Sequence, residues 1–348
     1  MWQMLILQRQ GRIIMLATRR SFSVADECFR TPLIVPSYSS RAAEHDISDV
    51  IDVNRRFVSG PVLVSAYDVM HFGVKQKKLG ESSLTFLDSG GYEAGKYDDF
   101  SEVEDLRNQK PSWAIDEYRQ VLSKWNFIKP TVLVSFDNPN RREKLPIQIA
   151  RARENLVKHP DACHTILLKS EPIGRALKKG ERLYIHVDRI SEFFDDIRDF
   201  SILGVTEKEL GNSIFNRMKV IGKLRKKMNE HGVNIPIHVF GSLDPVTTPL
   251  FFLSGADIFD GLTWLRYAFY NKIAIYKQNV HAVDRTIPLS MQDGQLTASV
   301  HVNNYHYLGT MEEEMKQFLN NREWAAFGDH ADFFRTAIER LEEEIGGQ

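Results

Sequence analysis

A chain of 348 residues, 43% hydrophobic and 26% charged, has globular composition and enough apolar material for a large core. A formal net charge of -1 excludes a global basic field for nucleic acid, so any polyanion must be met by local patches. Two cysteines, Cys28 and Cys163, cannot build a disulfide framework or a cysteine-based zinc cluster, which points to a reducing, cytoplasmic setting.

Residues 1–21 are apolar only in patches broken by Gln and Arg, lack a small-residue cleavage site and are too short to span a bilayer. They are expected to form a disordered or extended N-terminus with Met15 as a candidate start, and no membrane association is expected. Beyond them, short β-branched runs alternate with helical patterns. The strand-like runs are PLIVP from Pro32, PVLVSA from Pro61, SLTFLD from Ser83, TVLVSFD from Thr131 and HTILL from His164. They continue with RLYIHVD from Arg182, FSILGV from Phe200, IPIHVFG from Ile235 and ADIFDG from Ala256. Near-continuous apolar runs are what strands covered on both faces require.

Helices are predicted from Ser112, after Pro146, and from Thr206 to about His231. The last carries a capping box, Thr206 with Glu209, and a Gly232 stop. This alternation predicts parallel βαβ units and an α/β fold, a (β/α)8 TIM barrel over residues 22–272, with an open doubly wound sheet as the alternative. Nine runs for eight positions leave one surplus, expected to be HTILL or PLIVP. Residues 273–308 read as short strands and turns and 311–345 as two amphipathic helices, so 273–348 is expected to be an α+β subdomain with closing helices.

Barrel enzymes carry their reactive groups at the C-terminal ends of strands. Asp88, Asp137, Asp188, Gly204, Gly241 and Asp260 end predicted strands here. Carboxylates converging on one mouth can be driven apart into acid and base roles, although any single Asp after a strand also serves as a helix cap or turn residue. Asp88 opens DSGGY, where two glycines let the backbone approach a flat ligand and Tyr92 can stack on a base.

Together these motifs resemble the tRNA-guanine transglycosylases. LDSGGYE from Leu87 to Glu93 is similar to the family's TDSGG(F/Y)Q, and DIFDGLTWLR supplies Asp257, Asp260 and Arg266 where the family has D-x-F-D-C and a following Arg. VSFDN, HVFGSLDP and RTPLIVP add weaker matches in the same order, from about residue 30 to about residue 270. The resemblance implies that Asp260 is the nucleophile at the nucleotide C1′ and that Asp88 is the general acid/base for the base N9 proton. It implies that Asp137 accepts from guanine N1 and N2 and that Tyr92 and Phe240 sandwich the base. Main chain near Gly204, Val205 and Gly241, with Glu207 beside it, would border the purine. No cofactor is implied; the partners are a nucleic acid, DNA or tRNA, and a 7-deazaguanine base such as preQ0, with a homodimer or a partner protein left open.

The departures bear on substrate. Glu93 replaces the family glutamine, Gly261 replaces a cysteine, and His186 and Asp188 occupy the region of a glutamine that reads guanine O6. The zinc motif C-x-C-x2-C…H becomes Ser299, His301, Asn304 and His330. Ser and Asn are poor zinc ligands, so no metal is expected; His301 and His330 are weak candidates, read by preference as surface residues. A branch of the family that inserts 7-deazaguanines into DNA becomes the favoured comparison, ahead of the tRNA enzymes proper. Arg141, Arg142 and Arg266 are the candidate phosphate contacts at the mouth. A second basic set, Arg217, Lys219, Lys223, Arg225, Lys226 and Lys227, reads equally well as a solvated helix face. A catalytically dead binding subunit and a paired-carboxylate hydrolase are the competing classes.

Overall fold

The computed structural model describes residues 16–42, 46–95, 111–175, 177–178 and 181–346. An antiparallel hairpin of β1 (Ser21–Val24) and β2 (Glu27–Arg30) comes first. Eight parallel strands follow: β3 (Leu33–Tyr38), β4 (Val62–Ser65), β5 (Thr85–Asp88), β6 (Thr131–Val134), β7 (Cys163–Leu168), β8 (Ile202–Thr206), β9 (Ile237–Phe240) and β10 (Ile258–Gly261). They pair in chain order and close where β10 meets β3, which makes the predicted (β/α)8 barrel. Among the described residues no helix is long and apolar enough to cross a membrane.

The continuous apolar runs are explained by two cores. Leu33, Val35, Phe86, Val132, Val134, Ile202 and Ile258 fill the barrel, while their neighbours Ile34, Leu87, Leu133, Leu203, Val239 and Phe259 pack beneath the helices. A period of two then settles where the polar strand ends point. Asp88 shares the inward parity of Phe86, and Asp260 that of Ile258. Phe22 and Val24 of the hairpin join the interior cluster and plug the barrel from the N-terminal side of its strands.

Four expectations need correction. HTILL and PLIVP are the barrel strands β7 and β3; the surplus run is RLYIHVD, which forms a linking segment and the helix Val187–Ser191. Strands β7 and β8 pair directly, so no strand fits between them. Thr206 makes no capping box. A short helix Glu207–Leu210 stops at Gly211, and the long helix Ile214–Glu230 has its own cap in Ser213, whose side chain accepts from the Asn216 N–H. Residues 293–308 are not strands but part of a 29-residue helix, Asp293–Asn321. Its Leu296, Val300, Leu308, Met311, Met315 and Phe318 recur at helical spacing on one buried face, and this packing outweighs local β-propensity. Finally, residues 16–21 are part of the fold: Leu16 and Ala17 are buried and Arg20 is bonded to Asp257. Residues 1–15, Met15 included, lie outside the described residues.

A short hairpin of β11 (Ala268–Tyr270) and β12 (Ile273–Ile275) leads into that 29-residue helix, and the helix Ala331–Gly346 closes the chain. Both helices pack on the barrel side.

Candidate active site at the barrel mouth

The Asp-Ser-Gly-Gly run after β5 divides its work residue by residue. Asp88 is nearly buried, and its Oδ2 accepts from the Gly90 N–H at 3.1 Å. Gly90 has a φ of 85°, a left-handed conformation that favours glycine. Ser89 Oγ donates to Asp137 Oδ1 at 2.5 Å, and Trp113 Nε1 fixes the turn by donating to the Ser89 carbonyl at 2.9 Å. At Gly91 a Cβ would lie 2.0 Å from Asp137 Oδ1, so only glycine leaves room for that carboxylate. The motif therefore both presents Asp88 and seats Asp137.

Burial, reinforced by the charges of Asp137 and Glu93, holds the Asp88 carboxyl well above the usual carboxylate range. Glu93 is buried as well. Ser39 Oγ donates to its Oε1 at 2.6 Å, and desolvation with the neighbouring Asp68 charge pushes its carboxyl up to about 8. A protonated Glu93 presents one donor and one acceptor, as the amide of a glutamine would.

Asp260 stands at the end of β10 with only 5% exposure. Its Oδ2 accepts from Ser37 Oγ at 2.7 Å; its Oδ1 faces His238 Nε2 at 3.0 Å and the Gly241 N–H at 3.3 Å. Neither Ser37 nor His238 stood out in the sequence. Strand parity was the available signal, since His238 lies two residues before Phe240 on the inward face. Gly261 is required by packing: a Cβ would fall 2.9 Å from Leu243.

Asp137 also has Lys169 Nζ at 3.4 Å, and Lys169 reaches Glu209 at 3.8 Å. Lys169 directly follows β7, the HTILL run, one of the two expected to be surplus. Arg142 is turned onto the buried Glu209 at 2.6 Å, whereas Arg141 keeps a 73% exposed side chain with Glu143 at 3.4 Å. Arg141, Arg142, Asp137 and Lys169 line one small cleft beside the mouth.

Tyr92 is surrounded by cations. The Arg41 guanidinium lies 4.8 Å from the ring centroid, Lys208 Nζ 5.7 Å from it, and Arg266 Nη2 donates to the Tyr92 hydroxyl at 3.2 Å. Phe240 packs into the barrel interior and stacks on His238. A Cβ at Gly204 would come within 2.7 Å of the Phe240 ring, so that glycine makes space for Phe240. Val205 points its side chain into the outer core, leaving only its main chain facing elsewhere. Asp188 and His186 are exposed and off the mouth, Asp188 pairing with Lys227 at 2.7 Å.

The basic set on Ile214–Glu230 is largely engaged in packing. Arg217 pairs with Glu207, Lys226 donates to the Ile345 carbonyl, and Arg225 is fully buried on Asp257. The zinc-motif positions do not fit a metal. Asn304 is buried and spends its amide on the carbonyls of Trp264 and Tyr267 and on the Phe269 N–H, each at 2.7 Å. His301, expected at the surface, is buried against Asn54 and the Leu265 carbonyl because it lies on the packed face of its helix. His330 packs against Phe333 and Phe334. Among the described residues no group of three His, Cys, Asp or Glu side chains could hold a metal ion.

Scanned against models of known families and against curated proteins, the sequence matches none of them.

Proposed function

We propose that this chain exchanges guanine in a nucleic acid for a 7-deazaguanine base, acting on DNA in preference to tRNA. The observation that carries the reading is the unequal treatment of two inward-facing carboxylates at one mouth. Burial and neighbouring charge hold the Asp88 carboxyl well above the usual carboxylate range, and Asp260 is oriented by three hydrogen bonds. Asp260 attacks C1′; the C1′–N9 bond breaks, its electron pair goes to the base, and Asp88 delivers the proton to N9. In the second half Asp88 takes the N9 proton of the incoming base, N9 attacks C1′, and the C1′–O bond electrons return to Asp260. Asp137 is the acceptor for the guanine N1–H and N2–H donors, held for that task by Ser89 and the space at Gly91. The target nucleotide must leave its stack to reach these groups.

The preference for DNA draws on the region beyond residue 272. There Asn304, at one of the zinc-motif positions, is a hydrogen-bonded hub, which supports a remodelled RNA-holding element. A deoxyribose lacks the 2′-hydroxyl, a principal handle for telling the polymers apart, and residues 273–310 are proposed to carry the discrimination. Arg141 and Arg266 are proposed phosphate contacts, which predicts binding that weakens steeply with salt.

The test is incubation of labelled 7-deazaguanine with duplex DNA and, separately, with tRNA at equal enzyme. Label is expected in DNA with the wild type and in neither polymer with Asp260→Asn; a covalent protein–nucleic acid adduct should survive denaturing electrophoresis. Label in tRNA alone moves the polymer assignment to tRNA, and label in neither rejects the reading.

A further inference from the structure

Among the described residues, His238 is the one imidazole inside the barrel that touches the Asp260 carboxylate. It is fully buried on β9, with its ring stacked on Phe240 at 3.8 Å and 26°, and edge-on to Phe86 at 5.3 Å and 76°. Nε2 lies 3.0 Å from Asp260 Oδ1. Nδ1 is buried and has no hydrogen-bond partner among the described residues. An unsatisfied buried polar atom costs stability, and a phenylalanine could fill such an apolar slot without that cost. Among the described residues the single hydrogen bond the ring makes is to Asp260.

From this geometry we infer that His238 is a positioning residue that assigns different tasks to the two oxygens of Asp260, fixing Oδ1 and leaving Oδ2 to attack. The inference rests on the transglycosylase reading for its chemistry, though not for the His–Asp contact itself. With one ring proton, the tautomer that fits carries it on Nε2, where the carboxylate accepts. The other tautomer would set a lone pair against Oδ1 and leave an Nδ1–H without an acceptor. Oδ1 thus faces two donors on rigid supports, the His238 ring and the Gly241 main chain. Among the described residues Oδ2 has only the Ser37 hydroxyl, which can rotate away.

When Oδ2 bonds C1′, the Ser37 bond is given up and Oδ1 becomes the ester carbonyl, still between its two donors. When the C1′–Oδ2 bond later breaks, its electron pair returns to the carboxylate, and charge re-forms partly on Oδ1 where those donors already stand. Preorganised donors at developing charge act on the chemical step more than on binding.

The experiment combines ring spectroscopy with kinetics on the full chain. In protein labelled with 15N-histidine, His238 is assigned by the resonances lost in His238→Asn, and it should show a protonated Nε2 and an unprotonated Nδ1. That preference should collapse in Asp260→Ala. His238→Phe should lower kcat for base exchange by roughly 100-fold with KM changed little, the scale of losing one such donor. His238→Gln, which can donate, should recover part of the loss. A dominant Nδ1–H tautomer in the wild type, or a folded His238→Phe with wild-type kcat, overturns the inference. If neither DNA nor tRNA is labelled by the wild type, the transglycosylase reading fails, and with it the attack by Oδ2. The tautomer and its response to Asp260→Ala then still decide whether His238 positions the carboxylate.

Discussion

Asp257 just before β10 and Asp260 near its C-terminal end stand three residues apart, and the protein treats them in opposite ways. At the barrel floor Asp257 is bonded to Arg20 at 2.9 Å, to Arg225 at 2.5 Å and to the Ile237 N–H at 2.8 Å, and all four residues are buried. At the mouth Asp260 meets a hydroxyl, an imidazole and a main-chain N–H; among the described residues no Lys or Arg pairs with it. Two guanidiniums neutralise a carboxylate and remove its capacity to attack. Hydrogen bonds from a hydroxyl and a main-chain amide aim it without supplying a counter-charge. On the proposed reading, the acid just before β10 is structural and the one near its end is chemical, separated by position along the barrel axis.

The largest effect should come from breaking the floor. Asp257→Ala leaves Arg20 and Arg225 buried without their counter-ion, and removing one partner of a buried pair costs about 3–5 kcal/mol. Urea denaturation should show the midpoint falling accordingly. A variant as stable as the wild type would mean that the arginines find other acceptors and that Asp257 is not the floor's anchor.

How much of this contrast the sequence could carry is instructive. The barrel was legible because continuous apolar runs alternating with helical patterns have few other solutions. Strand ends of a barrel share one mouth, which placed Asp88, Asp137 and Asp260 together, but the same reasoning misplaced Asp188, which sits on a helix paired with Lys227. The role of Asp257 was not. Its partners are Arg20 and Arg225, 237 and 32 residues distant, and Arg225 looked like one more charge on a basic helix face. Asn304 shows the same limit: its spacing matched a metal motif, yet its amide ties the β11 approach to the long helix. Residues whose meaning lies in distant partners are invisible to local pattern. His238 was hidden differently, inside an apolar run where one polar residue reads as tolerated.

A second way to sharpen the comparison uses pH. The mouth stores carboxylates that lack full compensation, and Glu93, held up to about 8, is one of them. Its ordinary value is 4.5, so between about 4.5 and 8 the folded protein keeps a proton that the unfolded chain releases. Stability from this group is complete below that window and declines as pH rises through it, by at most about 1.4 kcal/mol per pH unit. Glu93→Gln should flatten this part of the profile, with the remaining slope due partly to Asp88, which is shifted in the same direction. Superimposable pH–stability curves for the two proteins would show that Glu93 titrates normally.

The smallest stability change is expected at the residue with the largest chemical one. Asp260→Asn keeps the shape of the side chain, and its amide oxygen can still accept from His238 and the Gly241 N–H. The amide nitrogen then faces Ser37, whose hydroxyl oxygen can turn to accept. No cation is left uncompensated, in contrast to the floor, so the penalty that makes Asp257→Ala costly does not arise. Stability should therefore stay within about 1 kcal/mol of the wild type, the range in which isosteric changes with satisfied partners fall. Measured by the same urea titration as Asp257→Ala, a loss of several kcal/mol would show that Asp260 holds the barrel together as Asp257 does, and the division of β10 into a structural and a chemical end would be gone.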